Sequence, residues 1–382
     1  MRLNVRFPTV DPNKYVLPET CPYGCGSQAY HRHGSKGVRK PLRDVGRDEV
    51  LSYRYRCEGC GRTFRVYPVG VSKGAQQSQR LRAMTVLLYV LGLSYGAVED
   101  FVNALGCGVG KTTVYNNVQA AGKAARGQQQ MWVATGGKRP VIGADATYVK
   151  VKGASVGIEV VVDDSTGELL GLDIVTSENY EEIRGVIQEV VEAVDPEVLV
   201  TDDHGANSEV ADELGLDQQL CRNHMKRNVD EIGESLNKHL AHPEPLPEGV
   251  ELTVEQVRAD LAEMRRLIRE RPPDGEEQLA VLYDRYKDVP PPENGGRHSV
   301  WYRMRMAVTR LWERWRKLTR DQHRDDLDGT NNASERLIGW WIKERYRTMR
   351  GYKRTESIRN VVTLTAQIGA CRGYYDLAEL VA

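Results

Sequence analysis

The chain has 382 residues, long enough for two or three domains that each bury a core. It carries 53 Lys+Arg against 53 Asp+Glu, a formal net charge of zero. No run approaches the ~18 apolar residues a membrane span needs, so no membrane partner is expected. The even balance hides a segregation. Residues 1–140 hold 21 basic against 8 acidic side chains, residues 141–300 hold 15 against 35, and residues 301–382 hold 17 against 10. A basic head and tail around an acidic middle fit a polyanionic partner met by both ends. The N-terminus, MRLNVRFPTVDPNKY, lacks the apolar core of a signal peptide, and a cytoplasmic location is expected. There the seven cysteines stay reduced and are candidates for metal binding rather than disulfides.

Residues 1–75 read as short strands broken by Gly and Pro. Within them Cys21 and Cys25 form one tight pair, and Cys57 and Cys60 a second. Two thiolate pairs suit tetrahedral Zn2+, and a small β-rich unit with a poor core needs such a metal. A structural zinc ribbon is predicted, with His31 or His33 as the alternative fourth ligand. The surrounding Arg32, Lys36, Arg39, Lys40, Arg43, Arg54 and Arg56 suit a module facing nucleic acid.

Residues 76–135 are expected to form a DNA-binding domain, with helical apolar spacing over 78–126 in SQRLRAMTVLLYVLGL, SYGAVEDFVNAL and KTTVYNNVQAAGKAA. The last two, around a Gly-rich turn at 106–110, predict a helix-turn-helix. Its second helix starts with Lys111, Thr112, Thr113, Tyr115, Asn116 and Asn117, polar groups able to reach base edges or phosphates. Gly110-Lys111-Thr112 is no phosphate loop, because Leu105 stands where its first Gly is required.

From residue 136 the character changes to strand–strand–strand–helix–strand–helix–strand, the order of a ribonuclease H-like α/β domain, through residue 228. A charged helical insertion with Pro-rich breaks at 243–247, 272–273 and 290–292 spans 229–325, and helices close the domain over 326–382. The fold class expected is multidomain α+β: zinc ribbon and helix-turn-helix, then the interrupted ribonuclease H-like domain.

Three acids stand out. Asp145 sits within an apolar strand, Asp202 ends another, and Glu335 lies one turn into a helix opened by Thr330, Asn331 and Asn332. A carboxylate inside a strand core is costly unless a cation compensates it. Together the three suggest a cage for two Mg2+ or Mn2+ ions, the arrangement of two-metal phosphodiester chemistry. Asp203 competes with Asp202 as the second ligand or else caps the next helix, and Glu344 competes with Glu335. Cys221 and His224, at i and i+3, share a helical face but by themselves are too few for zinc. Of Trp340 and Trp341, at least one is expected in the core. Lys343, Arg345, Arg347, Arg350, Lys353 and Arg354, with Tyr346 and Tyr352, read as a phosphate-contacting strip. Cys107 and Cys371 read as small buried hydrophobes.

Three motifs carry a resemblance: TDxxxA (Thr201, Asp202, Ala206), CxxHxxRN (Cys221, His224, Arg227, Asn228) and TNNxxER (Thr330 to Arg336). In this order they resemble the DDE transposases of the Mutator-like superfamily and related bacterial insertion sequences. The resemblance implies Asp145, Asp202 and Glu335 as metal-binding triad, with Cys221 and His224 as the accessory pair near the site. The doubled Asp202-Asp203 departs from the family pattern, and Asp203 and Asn332, beside the second and third acids, are further accessory candidates. It further implies double-stranded DNA as partner, both terminal inverted repeats and target, a homodimer or higher assembly on DNA, and a nucleoid-associated location. The rival expectations are a DNA-binding regulator with a retired catalytic domain and a metal-dependent nuclease that joins no strands.

Overall fold

The computed structural model describes residues 4–176, 179–241, 251–292, 298–349, 351–370 and 375–381. The chain divides into two compact units. One comprises Met1–Thr135, Tyr148–Val156 and Leu337–Ala382, the other Gly136–Thr147 and Gly157–Arg336.

The first unit begins with seven short strands: β1 (Val5–Arg6), β2 (Asp11–Tyr15), β3 (Tyr30–Arg32), β4 (Val38–Pro41), β5 (Glu49–Cys57), β6 (Thr63–Val66) and β7 (Pro68–Val69). Strand β5 pairs antiparallel with β3, β4 and β6. Along it Val50 and Ser52 are buried while Glu49 and Leu51 are exposed, the two-residue period of a sheet with one wet face. The apolar cluster here is small: Val10, Leu42, Val50 and Val71, with Tyr67 against it.

Helix α1 (Gln79–Val90) starts at Ser78, whose hydroxyl accepts the Leu81 N–H and donates to Asp44. Helix α2 (Tyr95–Ala104) is capped by Ser94 in the same manner. The turn to α3 (Lys111–Thr135) passes through Gly106 (φ 80°) and Gly108 (φ 59°), backbone that a side chain would strain. Helix α3 runs ten residues beyond the segment whose spacing predicted it, because Val133 is buried and the intervening Gln residues form helix readily.

The second unit holds a five-stranded sheet. Its strands are β8 (Val141–Val151) and β9 (Ala154–Asp163), whose hairpin end Tyr148–Val156 is assigned to the first unit, with β10 (Leu169–Val175), β11 (Val198–Thr201) and β12 (Asp217–Leu220), in the order β10-β9-β8-β11-β12. Strand β10 is antiparallel to β9, whereas β11 is parallel to both β8 and β12. This is the ribonuclease H-like sheet that the element order predicts. All four residues of β11 are buried, as in a central parallel strand covered on both faces. Helix α4 (Tyr180–Val194) lays Ile183, Val186, Ile187, Val190 and Val194 inward. It packs so closely on β10 that a Cβ on Gly171 would stand 2.5 Å from Val190. Helix α5 (Gly205–Glu213) joins β11 to β12.

The helical insertion starts earlier than its composition suggests. Helix α6 (Arg222–Ala241) runs unbroken through residue 229, carrying Met225, Val229, Ile232 and Leu236 on one face. These pack with α7 (Val254–Glu270), α8 (Gly275–Tyr286), α9 (Val300–Glu313) and α10 (Trp315–Leu318) around Met264, Trp301 and Met304. The Pro-rich break at 243–247 lies outside the described residues. Helix α11 (Asn332–Leu337) ends this unit.

The chain returns to the first unit with a π-helical stretch, Ile338–Lys343, then α12 (Glu344–Arg347) and α13 (Thr355–Ala370). Helix α13 lies directly on α3: a Cβ at Gly122 would meet the Asn360 carbonyl oxygen at 2.5 Å. Strand β13 (Tyr375–Asp376) pairs with β1, and α14 (Ala378–Val381) follows. No described helix is long and apolar enough to cross a membrane.

Candidate active site

Strands β8 and β11 align Val198 with Val141, Leu199 with Ile142 and Val200 with Gly143. Carried two residues further, this register sets Asp202 beside Asp145, on the same face because side chains alternate. Both line one pocket, together with Ala146, Glu159, Ile183 and Asn207. Asp145 Oδ1 accepts the Ala146 N–H at 2.9 Å. Asp202 Oδ1 accepts the His204 N–H at 3.1 Å and the Asn207 side-chain N–H at 2.8 Å. Both bonds fall on one oxygen, which fixes the carboxylate plane and leaves Oδ2 for a cation. Glu159, only 2% exposed, adds a third carboxyl group. Three carboxyl groups lining one pocket offer an all-oxygen donor set of the kind that holds a divalent cation.

Glu335 takes its place through Asn331. That residue is fully buried, and its side chain donates to the Ala144 carbonyl at 2.9 Å, one residue before Asp145. Its backbone N–H points to Cys221 Sγ at 3.3 Å, and its carbonyl accepts the Glu335 N–H at 3.1 Å. Glu335 is not among the residues lining the pocket of Asp145 and Asp202. It stands instead with Cys221 and His224, one ligand atom from each lying within 4.8 Å of the others. Asn332 is half-buried, and its carbonyl accepts from Arg336.

Asp203 corrects an expectation. It neither lines the pocket nor caps α5, whose cap position is His204 with no side-chain cap bond. Its buried carboxylate is paired with Arg310 and Arg314 of the insertion. Glu344 is exposed and paired with Arg347. Two pocket residues, Glu159 and Asn207, escaped the sequence reading. Glu159 carried the same signal as Asp145, an acid inside an apolar strand. In the turn just after β9, burial and the neighbouring Asp328 and Asp163 push the Asp164 carboxyl up to about 7.

In the other unit the four cysteines converge. Cys21 Sγ lies 3.7 Å from Cys60 Sγ, and Cys25 Sγ lies 3.5 Å from Cys57 Sγ, each link joining one pair to the other. A tetrahedral zinc with ~2.3 Å bonds to sulfur requires edges of about 3.8 Å, so the donors fit the ion. The Cys60 backbone N–H holds the Cys57 thiol down, to about 6. His31 is exposed and beside Glu58 rather than in this group.

Of the groups expected on DNA, Lys111, Thr112 and Asn116 are exposed at the start of α3, and Thr113 is half-buried. Tyr115 is packed edge-on against Tyr95 and lies 3.4 Å from Ser357, and Asn117 is buried on Gln77 and Thr85. Arg345 does not belong to the phosphate strip: it is buried, stacks 3.9 Å over the Tyr89 ring and donates to the Leu93 carbonyl. Its length lets an arginine reach inward to a ring and a carbonyl at once. Lys343, Arg347, Lys353 and Arg354 are exposed, while Arg350 and Cys371 lie outside the described residues. Trp341 is buried and Trp340 is 61% exposed.

Among known proteins, the family described as "Transposase IS66 family" matches residues 74–345. No curated protein matches the chain. Solved structures with some likeness include the HTLV-2 integrase catalytic core domain in complex with magnesium, in dimeric form. It is 17% identical, with 34% of this chain and 86% of that chain covered and a TM-score of 0.20. A simian T-cell lymphotropic virus intasome in complex with the PP2A regulatory subunit B56 gamma is 11% identical, covering 58% of this chain and 74% of that chain, with a TM-score of 0.21.

Proposed function

The chain belongs to the IS66 transposase family, and from that premise we propose that it recognises the ends of a transposable element and cleaves and rejoins DNA strands there. The observation that carries this reading is the meeting of Asp145 and Asp202, from two adjacent parallel strands, in one pocket. Asp145, Asp202 and Glu335 would hold divalent metal, and an all-oxygen carboxylate set favours Mg2+ or Mn2+. Two such ions, when bound, lower the pKa of an attacking water or 3′-hydroxyl and stabilise the leaving oxygen. Asn207 fixes the Asp202 carboxylate, and Asn331 ties the helix of Glu335 to the strand of Asp145. The wider kinship with Mutator-like transposases rests on the shared CxxH and TNNxxER motifs.

In the same reading Cys21, Cys25, Cys57 and Cys60 bind a structural zinc, making residues 1–75 a ribbon. Helices α2 and α3 act as a helix-turn-helix, with Lys111, Thr112 and Asn116 on DNA. Arg347, Lys343, Lys353 and Arg354 contact phosphates. Two element ends are handled together, so a homodimer on DNA follows, working on chromosomal DNA in the cytoplasm.

The test incubates the purified protein with Mg2+ or Mn2+ and DNA carrying the sequences that flank its gene, beside Asp202→Ala. Metal-dependent nicking at the ends with joined products, absent in the variant, is the expected result. Cleavage without joining would make the protein a nuclease, and sequence-selective binding without cleavage a DNA-binding regulator.

A further inference from the structure

By spacing, Cys221 and His224 are one ligand short of a metal site, and the fold supplies the missing one from far along the chain. Cys221 Sγ is fully buried where β12 passes into α6, while Glu335 arrives on α11. His224 Nδ1 and Glu335 Oε1 face each other across 3.6 Å. Both atoms are buried from solvent, and neither has a hydrogen-bond partner among the described residues. An unsatisfied buried nitrogen and carboxylate oxygen are costly, and two side by side mark a missing third party. The thiol beside them decides its chemistry. One sulfur, one nitrogen and one oxygen form a donor set for zinc, whereas Mg2+ and Mn2+ prefer oxygen alone. Zn–N and Zn–O bonds of ~2.0–2.1 Å put nitrogen and oxygen about 3.3 Å apart, so the gap needs to close by only a few tenths of an ångström.

We infer that Cys221, His224 and Glu335 form a second transition-metal site, which takes Zn2+ with one coordination position left for water. The ion sits apart from the four cysteines and shares Glu335 with the carboxylate centre proposed above. Binding does not depend on that proposal; only the sharing of Glu335 with catalysis does.

The experiment measures zinc per full-length chain by mass spectrometry after dialysis against excess Mg2+. It compares the wild type with Cys221→Ser, His224→Gln and the double variant Asp145→Asn/Asp202→Asn. Circular dichroism checks that each is folded, and His224→Gln, at a half-buried position, stands in if the fully buried Cys221→Ser does not fold. The expected result is loss of one zinc equivalent in Cys221→Ser and His224→Gln, with the double Asp variant keeping the wild-type count. Equal zinc in the wild type and both single variants overturns the site. So does loss of that zinc in the double Asp variant, which would assign the ion to the pocket of Asp145 and Asp202. Zinc retained there alongside undiminished strand joining would sink the catalytic reading and leave this site standing.

Discussion

A carboxylate as buried as Asp203 persists only against a cation, and it has two, Arg310 and Arg314. Breaking such a pair leaves a charge uncompensated in low dielectric. The double variant Arg310→Met/Arg314→Met, which removes both partners, is therefore expected to cost on the order of 3 kcal/mol, read from urea unfolding; an unchanged midpoint would mean the pairing contributes nothing. The same contact couples the insertion to the strand end that carries Asp202. Asn207 acts more locally, orienting the Asp202 carboxylate. Asn207→Ala should raise the Mg2+ concentration needed for half-maximal nicking by about 10-fold or more without unfolding the chain. Asp164 gives a pH signature. Its folded pKa of about 7 lies above the ordinary Asp value of 3.8. Between these two values the folded chain binds the extra proton, so stability falls as pH rises through that window. Asp164→Asn should flatten the fall, and denaturant titrations at pH 5 and pH 7.5 would expose it; equal slopes in wild type and variant count against it.

At the scale of elements, helix contacts turn one general rule around. Gly to Ala inside a helix ordinarily stabilises by about 0.5–1 kcal/mol. At Gly122 the new methyl would stand 2.5 Å from the Asn360 carbonyl on α13, and backbone cannot step aside as a side chain can. Gly122→Ala should therefore destabilise by about 1–3 kcal/mol, and a raised melting temperature would refute the close packing. Helix α6 shows what element prediction misses. Its apolar face continues from the sheet domain into the insertion, so a boundary drawn from charge composition cuts through a helix. The order of strands in the second unit was legible because apolar runs and turn signals are local. The pairing order β10-β9-β8-β11-β12 was accessible only through analogy with a known arrangement.

For the molecule as a whole, the strands of residues 1–75 have a small apolar cluster, while the sheet and the insertion bury extensive cores. Metal dependence should divide accordingly. Stripping zinc with a chelator is expected to open residues 1–75 to protease and leave 136–336 intact; uniform resistance would argue against a structural ion. The charge segregation, basic at both ends and acidic between, belongs to this scale as well, because it sums over residues that never meet.

Composition, periodicity and spacing determined by themselves the element order, the paired cysteines and the acids in costly positions. These are local signals, readable within a strand or a turn. Tertiary structure decided which of Asp202 and Asp203 reaches the pocket, since two adjacent carboxylates differ only in what the insertion brings against them. It decided that Arg345 turns inward to Tyr89. It also decided that Cys221 and His224 meet Glu335. Each outcome depends on segments remote in sequence being packed together, and a side chain's surroundings exist only once that packing has formed.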